Sequence, residues 1–105
     1  MTMAKLLDPI HPGEILLEEF MKPLGVSQNK LARDLDVPPK RINAVVNGKS
    51  GVTADTALRL AKYFGTTPEF WMNLQALYDI EEAQKLYKKD IESMHTAREF
   101  QRSAA

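Results

Sequence analysis

No cysteine occurs among the 105 residues, which excludes disulfides and thiolate metal sites. No run of about 18 apolar residues occurs either, so no membrane-spanning helix is expected. The N-terminus lacks the apolar stretch with a basic flank that directs secretion, and a cytoplasmic protein is the expectation. Histidine is scarce: only His11 and His95 are present, and neither belongs to a metal-type spacing such as H-E-x-x-H. No G-x-G-x-x-G and no Walker loop occurs. Glu14 and Glu18 share a helix face, but Glu18 also faces Lys22, which reads as an outer row rather than an acid–base pair. No catalysis, no cofactor and no metal are expected.

Net charge is also lacking, with 14 cations against 14 anions. The sum hides a segregation. Residues 1–21 carry Lys5 against Asp8, Glu14, Glu18 and Glu19. Residues 22–49 carry Lys22, Lys30, Arg33, Lys40, Arg41 and Lys49 against only Asp34 and Asp36. The positive excess is confined to that stretch, and a local excess of this kind is what an anionic polymer attracts.

What the chain does have is helical periodicity throughout, so an all-α fold is predicted. A first helix begins near Pro12, has Leu16, Leu17, Phe20, Met21 and Leu24 as its apolar residues, and ends at Pro23 and Gly25. Ser27 is a good N-cap for a second helix, striped by Leu31, Ala32 and Leu35. Asp36 occupies a turn, because Pro38 and Pro39 lack the N–H groups a continuing helix uses. A third helix starts at Pro38 or Pro39 and ends at Asn47-Gly48. Thr53 caps a fourth, with Ala57, Leu60, Ala61 and Phe64 inward. Thr67-Pro68-Glu69 opens a fifth, whose apolar side is Phe70, Trp71, Leu74, Leu77 and Tyr78. Beyond Asp79 two readings stand: a sixth helix opened by Asp79 and Glu82, or a fifth helix that runs on.

The third helix carries the functional signal. Residues advance about 100° each, so Ile42, Val45 and Val46 share one side and Lys40, Ala44 and Asn47 lie opposite. Arg41 and Asn43 flank that outer face. Lys donates to guanine acceptors, Asn pairs with adenine, and Ala permits close approach to a thymine methyl. Two short helices joined by a tight turn have helix-turn-helix spacing, in which the second helix enters the major groove. Ser27 and Gln28 at the start of the first helix of the pair, Arg41 at the margin, and Lys49 just past the second are phosphate candidates.

"SQNKLARDLDVPPKRINAVVNGK" resembles the lambda-repressor-like, Xre-type helix-turn-helix. "HPGEILLEEFMKPLGVS" and "TADTALRLAKYFGTTPEFWMNLQALYDI" on either side make the chain similar to the HigA subfamily of antitoxins. The resemblance implies a five-helix lambda-repressor-like DNA-binding domain with a C-terminal helical extension. It implies a homodimer on double-stranded operator DNA that represses its own operon, and neutralisation of a HigB-type toxin protein, an mRNA endonuclease. It also implies Gln28 as a phosphate contact and Pro39, Lys40, Asn43 and Ala44 as positions facing DNA. The family often has Ser or Thr at the start of the recognition helix, where this chain has Pro38 and Pro39.

The organisation expected is an arm over 1–10, a helix-turn-helix domain over 11–80, and a C-terminal helix and frayed tail over 81–105. Ile80, Ala83, Tyr87, Ile91 and Met94 follow a spacing close to a heptad seam, a candidate dimer contact. Phe70 is expected in the core between the fourth and fifth helices. Trp71 either packs on the first helix or lies in the dimer seam. Two alternatives in function are a stand-alone Xre-type regulator and a helix-turn-helix module used only for protein contacts.

Overall fold

The computed structural model describes residues 9–98, and its elements are five helices with no strand among the described residues. The expected 1–10 arm falls, except for Pro9 and Ile10, outside the described residues, as does the "QRSAA" tail. Helix α1 covers residues 12–24 in three joined parts, Pro12–Ile15, a widened π segment Leu16–Met21, and Lys22–Leu24. His11 caps it, its imidazole Nδ1 accepting the Gly13 N–H at 2.9 Å. Pro23, expected to end the helix, lies within its last turn. A proline ring there clashes with the carbonyl four residues back. The widened segment just before it, in which Lys22 N–H reaches back to the Leu17 carbonyl, gives the ring room, and the stop comes at Gly25.

Helix α2 is Gln28–Leu35, α3 is Pro39–Val46, α4 is Ala54–Phe64 and α5 is Pro68–Glu92. Ser27, Thr53 and Thr67 each accept a first-turn backbone N–H, as N-caps do. The α5 helix runs on past Asp79, so the second of the two readings holds and the 80/81 boundary falls inside it. Asp79 does not cap; its carboxylate accepts from Gln75 Nε2 at 2.9 Å. The one break in regularity is at Tyr87 (φ −115°, ψ 16°).

The core is one cluster: Leu16 and Met21 of α1, Leu31, Ala32 and Leu35 of α2, Ile42 and Val45 of α3, Val52, Ala57, Leu60 and Ala61 of α4 and its entry, and Trp71. Phe70 is not the core residue expected between the fourth and fifth helices, and of the two readings for Trp71 the first holds. Trp71 is 0% exposed, and its Nε1–H donates to Thr66 Oγ1 at 2.8 Å, whereas Phe70 is 38% exposed. A buried indole needs an acceptor, and the loop just before α5 supplies one. The Trp71 ring lies 5.1 Å from Phe20 of α1. Trp71 therefore packs on the first helix and is withdrawn from the dimer candidates.

After Trp71 nothing on α5 is fully buried. Leu74, Gln75 and Tyr78 are half-buried, and Leu77, Ile80, Leu86, Tyr87 and Ile91 stand in solvent. The molecule is accordingly elongated, 62 × 30 × 23 Å. No helix among the described residues is long and apolar enough to cross a membrane.

Candidate nucleic-acid interface

Helices α2 and α3 meet through a three-residue turn, 36–38. Asp36 takes the left-handed conformation (φ 58°, ψ 49°), the one non-glycine among the described residues to do so. Its N–H and that of Val37 fold back on carbonyls of α2, at Arg33 and Ala32, which closes the helix end. Pro38 then precedes α3 in extended conformation and Pro39 is its first residue. No side chain caps this helix. The proline pair offers neither hydroxyl nor N–H where the family often has Ser or Thr, but its fixed φ suits a helix start.

The burial pattern of α3 separates its two sides. Ile42 and Val45 are buried and Val46 is half-buried. Pro39, Lys40, Asn43 and Asn47 are exposed, and Ala44 is half-buried between them. Lys40 and Lys49 make no salt bridge among the described residues, so both ammonium groups are available to an external anion. Ser27 is exposed, with its oxygen accepting the Lys30 N–H at 3.1 Å and its hydroxyl proton still free to donate. Gln28 is half-buried beside it. Arg41 is not free: its Nη1 donates to Asp55 Oδ2 at 2.5 Å.

Several residues that hold this face were not singled out from sequence. Gly13 lies directly against the backbone of α3. A Cβ at that position would stand 1.8 Å from the Val45 carbonyl oxygen, so only glycine lets α1 meet the backbone of α3. Gln75 reaches across from α5 and accepts the Val52 N–H at 2.7 Å, anchoring the loop between α3 and α4. A glutamine on the inward side of an apolar stripe was the available signal. In the same loop the Ala44 carbonyl accepts from both Lys49 and Ser50, which fixes the base of the Lys49 side chain.

His11 completes that support. Its ring lies edge-on to Tyr78 of α5 at 4.9 Å and close under Gly48. Burial lowers its pKa below the ordinary value, while a backbone hydrogen bond with Ser50 and the charge of Asp79 oppose the shift. The imidazole is held neutral, as its role as acceptor for Gly13 requires. On the far side, Arg59 joins Asp55 to the turn, donating to the Leu35 carbonyl at 2.7 Å. Lys30 and Tyr63 both donate to Asp34 of α2, at 2.8 and 2.7 Å, which depresses that carboxyl.

The dimer candidates form a second locality. Ile80, Tyr87 and Ile91 are exposed along α5, Ala83 is half-buried, and Met94 lies two residues past the helix end. Leu77 extends the apolar ridge toward the body of the domain. An apolar ridge of this length on one helix is larger than scattered surface hydrophobics account for.

The Helix-turn-helix family model matches residues 17–71. Virulence-associated protein I of Dichelobacter nodosus is 53% identical over 76 residues, covering 72% of this chain and 70% of that protein. An addiction module antidote protein of a HigA family from Coxiella burnetii is 56% identical with a TM-score of 0.81, covering 85% of this chain and 97% of that one. The Pseudomonas aeruginosa antitoxin HigA, solved with the higBA promoter, is 43% identical with a TM-score of 0.82 over the same shares of the two chains.

Proposed function

The chain belongs to the HigA-type antitoxins of the helix-turn-helix family, and from that premise we propose that it represses its own operon as a homodimer on operator DNA and neutralises a HigB-type mRNA endonuclease. The observation that carries the DNA reading is the two-sided α3: a ridge of Ile42 and Val45 sunk in the core, and Lys40, Asn43, Ala44 and Asn47 turned outward. In this reading Lys40, Asn43, Ala44 and Asn47 meet base edges, with Pro39 at the entry. Ser27, Gln28 and Lys49 hold phosphates on either side.

Dimerisation through the α5 ridge of Ile80, Tyr87 and Ile91 supplies the two-fold symmetry. It sets two recognition helices on half-sites about one helical turn apart, roughly 34 Å. The toxin reading draws support from family membership and from charge. The exposed Glu14, Glu18 and Glu19 of α1, beside Ile10 and Ile15, line a shallow groove suited to a basic ribonuclease. Co-expression with the neighbouring gene tests it: a small basic protein that co-purifies supports the reading, and a free antitoxin beside an expressed partner opposes it.

The balanced net charge favours one rival, a domain that keeps the fold only for protein contacts. Salt separates the two. Phosphate contacts release counterions, so binding to the chain's own upstream DNA weakens steeply with salt if the DNA reading holds, and a protein-contact module shows no such dependence.

A further inference from the structure

Arg41 sits at the edge of the outward face of α3, yet its guanidinium is turned to Asp55 in the first turn of α4. Asp55 is not short of partners. Arg59 Nε lies 3.1 and 3.2 Å from its two oxygens, and Arg59 is itself fixed to the Leu35 carbonyl at the helix-turn-helix turn. The Arg59–Asp55 half of the cluster is therefore tied to the scaffold, and the Arg41 half is tied only to Asp55. Both Arg41 and Asp55 are open to water, their side chains 41% and 52% exposed. Solvated ion pairs of this kind contribute little stability and exchange partners readily.

We propose that Asp55 is an internal stand-in for a DNA phosphate, which holds Arg41 in the free protein and yields it to the backbone when a duplex seats against α3. The proposal rests on the DNA reading above. A carboxylate presents the same pair of oxygens to a guanidinium fork that a phosphate does. When Arg41 leaves, Asp55 keeps Arg59 and is not stranded as an unpaired charge. The effect is selective. A loosely held, non-cognate duplex does not bring a phosphate close enough to displace the carboxylate, so Arg41 adds nothing to non-specific attraction. A fully seated operator does. Asp55 thereby raises the ratio of operator to non-specific affinity in a chain whose net charge is zero.

The experiment measures binding of the full chain to two duplexes, the DNA upstream of its own gene and a scrambled duplex of equal length, across a salt series. Wild type, Asp55→Asn, Arg41→Gln and the double variant are compared. Asp55→Asn is expected to tighten scrambled-duplex binding several-fold, to steepen its salt dependence by about one ion, and to tighten the upstream duplex less. In the Arg41→Gln background the Asp55→Asn change is expected to do nothing. The same gain with and without Arg41 indicates simple charge repulsion and overturns the proposal. Weaker upstream binding by Asp55→Asn indicates that Asp55 braces Arg41 for a contact, and also overturns it. Wild type that binds neither duplex in a salt-dependent way defeats the DNA reading itself, a distinct outcome. Should Asp55→Asn unfold, wild type alone decides: the Arg41 guanidinium NMR signal shifts on adding the upstream duplex while that of Arg59 stays, and an unmoved Arg41 signal contradicts the exchange.

Discussion

Up to Trp71 the apolar ridges of this molecule pack against one another, with Leu24, Leu58 and Phe70 left at the surface; beyond Trp71 an apolar ridge ends in water. Leu16, Leu31, Ile42 and Leu60 are 0% exposed, while Ile80 and Ile91 are each 55% exposed. The two regions share a helical period and differ only in what they face. Burial in the first region fixes where α3 points. Exposure in the second leaves apolar area that a partner would stabilise by about 25 cal/mol for each Å² it covered. One half of the molecule is a finished fold; under the proposed dimer the other is half of an interface.

Truncating a side chain in each region separates the two. Trp71→Ala is expected to destabilise the fold by about 3–5 kcal/mol, read as a fall in thermal midpoint, because it empties a filled site and orphans Thr66. Ile80→Ala and Ile91→Ala are expected to leave the monomer's stability nearly unchanged and to weaken self-association instead. Sedimentation over a concentration series reads that difference. A monomer that melts early in Ile91→Ala would mean that the distal ridge packs back on its own domain.

Gly13→Ala sharpens the same contrast from within the finished half. Its new methyl meets the Val45 carbonyl, and overpacking of this kind costs about 1–3 kcal/mol. The shift falls on the recognition helix, so operator affinity is expected to drop even at temperatures where the variant is folded. Lys40→Ala, by contrast, is expected to leave stability alone, to cost about 1–3 kcal/mol of binding and to relax base preference. Lys49→Ala weakens all duplexes alike and lowers the salt slope by about 1.

The smallest effect is in pH. His11 is neutral in the native state with its pKa depressed by burial, whereas in the unfolded chain it takes up a proton near its ordinary value of about 6.5. Below that pH the unfolded state binds more protons, so the stability contributed by neutral His11 is present above about 6.5 and is lost as pH falls through the lower native value. Protonation at Nδ1 also removes the acceptor for Gly13. Chemical denaturation at pH 7.5 and pH 5.5 should show the acidic loss in wild type and a reduced one in His11→Ala.

Much of this was legible in the chain itself. The five helix starts were set by Pro12, Ser27, Pro39, Thr53 and Thr67, all residues with local reasons to sit where they do. The outer face of α3 follows from periodicity alone. Phe70 was misplaced, and Trp71 left between two readings, because adjacent aromatics differ by a helical phase that only the packing of α1 decides. Gly13, Gln75 and the Asp55–Arg59 pair act across gaps of about 15 to 30 residues, where local spacing carries no signal. The continuation of α5 lacked a stop residue; its ridge was already marked by heptad-like spacing, and the structure adds that the core is complete without it.

If the outer face of α3 meets a duplex, titrating the wild-type chain with its own upstream DNA from low to physiological salt shows it. Log K then falls linearly with log salt, by about 0.9 for each phosphate held, and Lys40→Ala lies below the wild-type line throughout. A flat line, or a Lys40→Ala line that coincides with wild type, would contradict it.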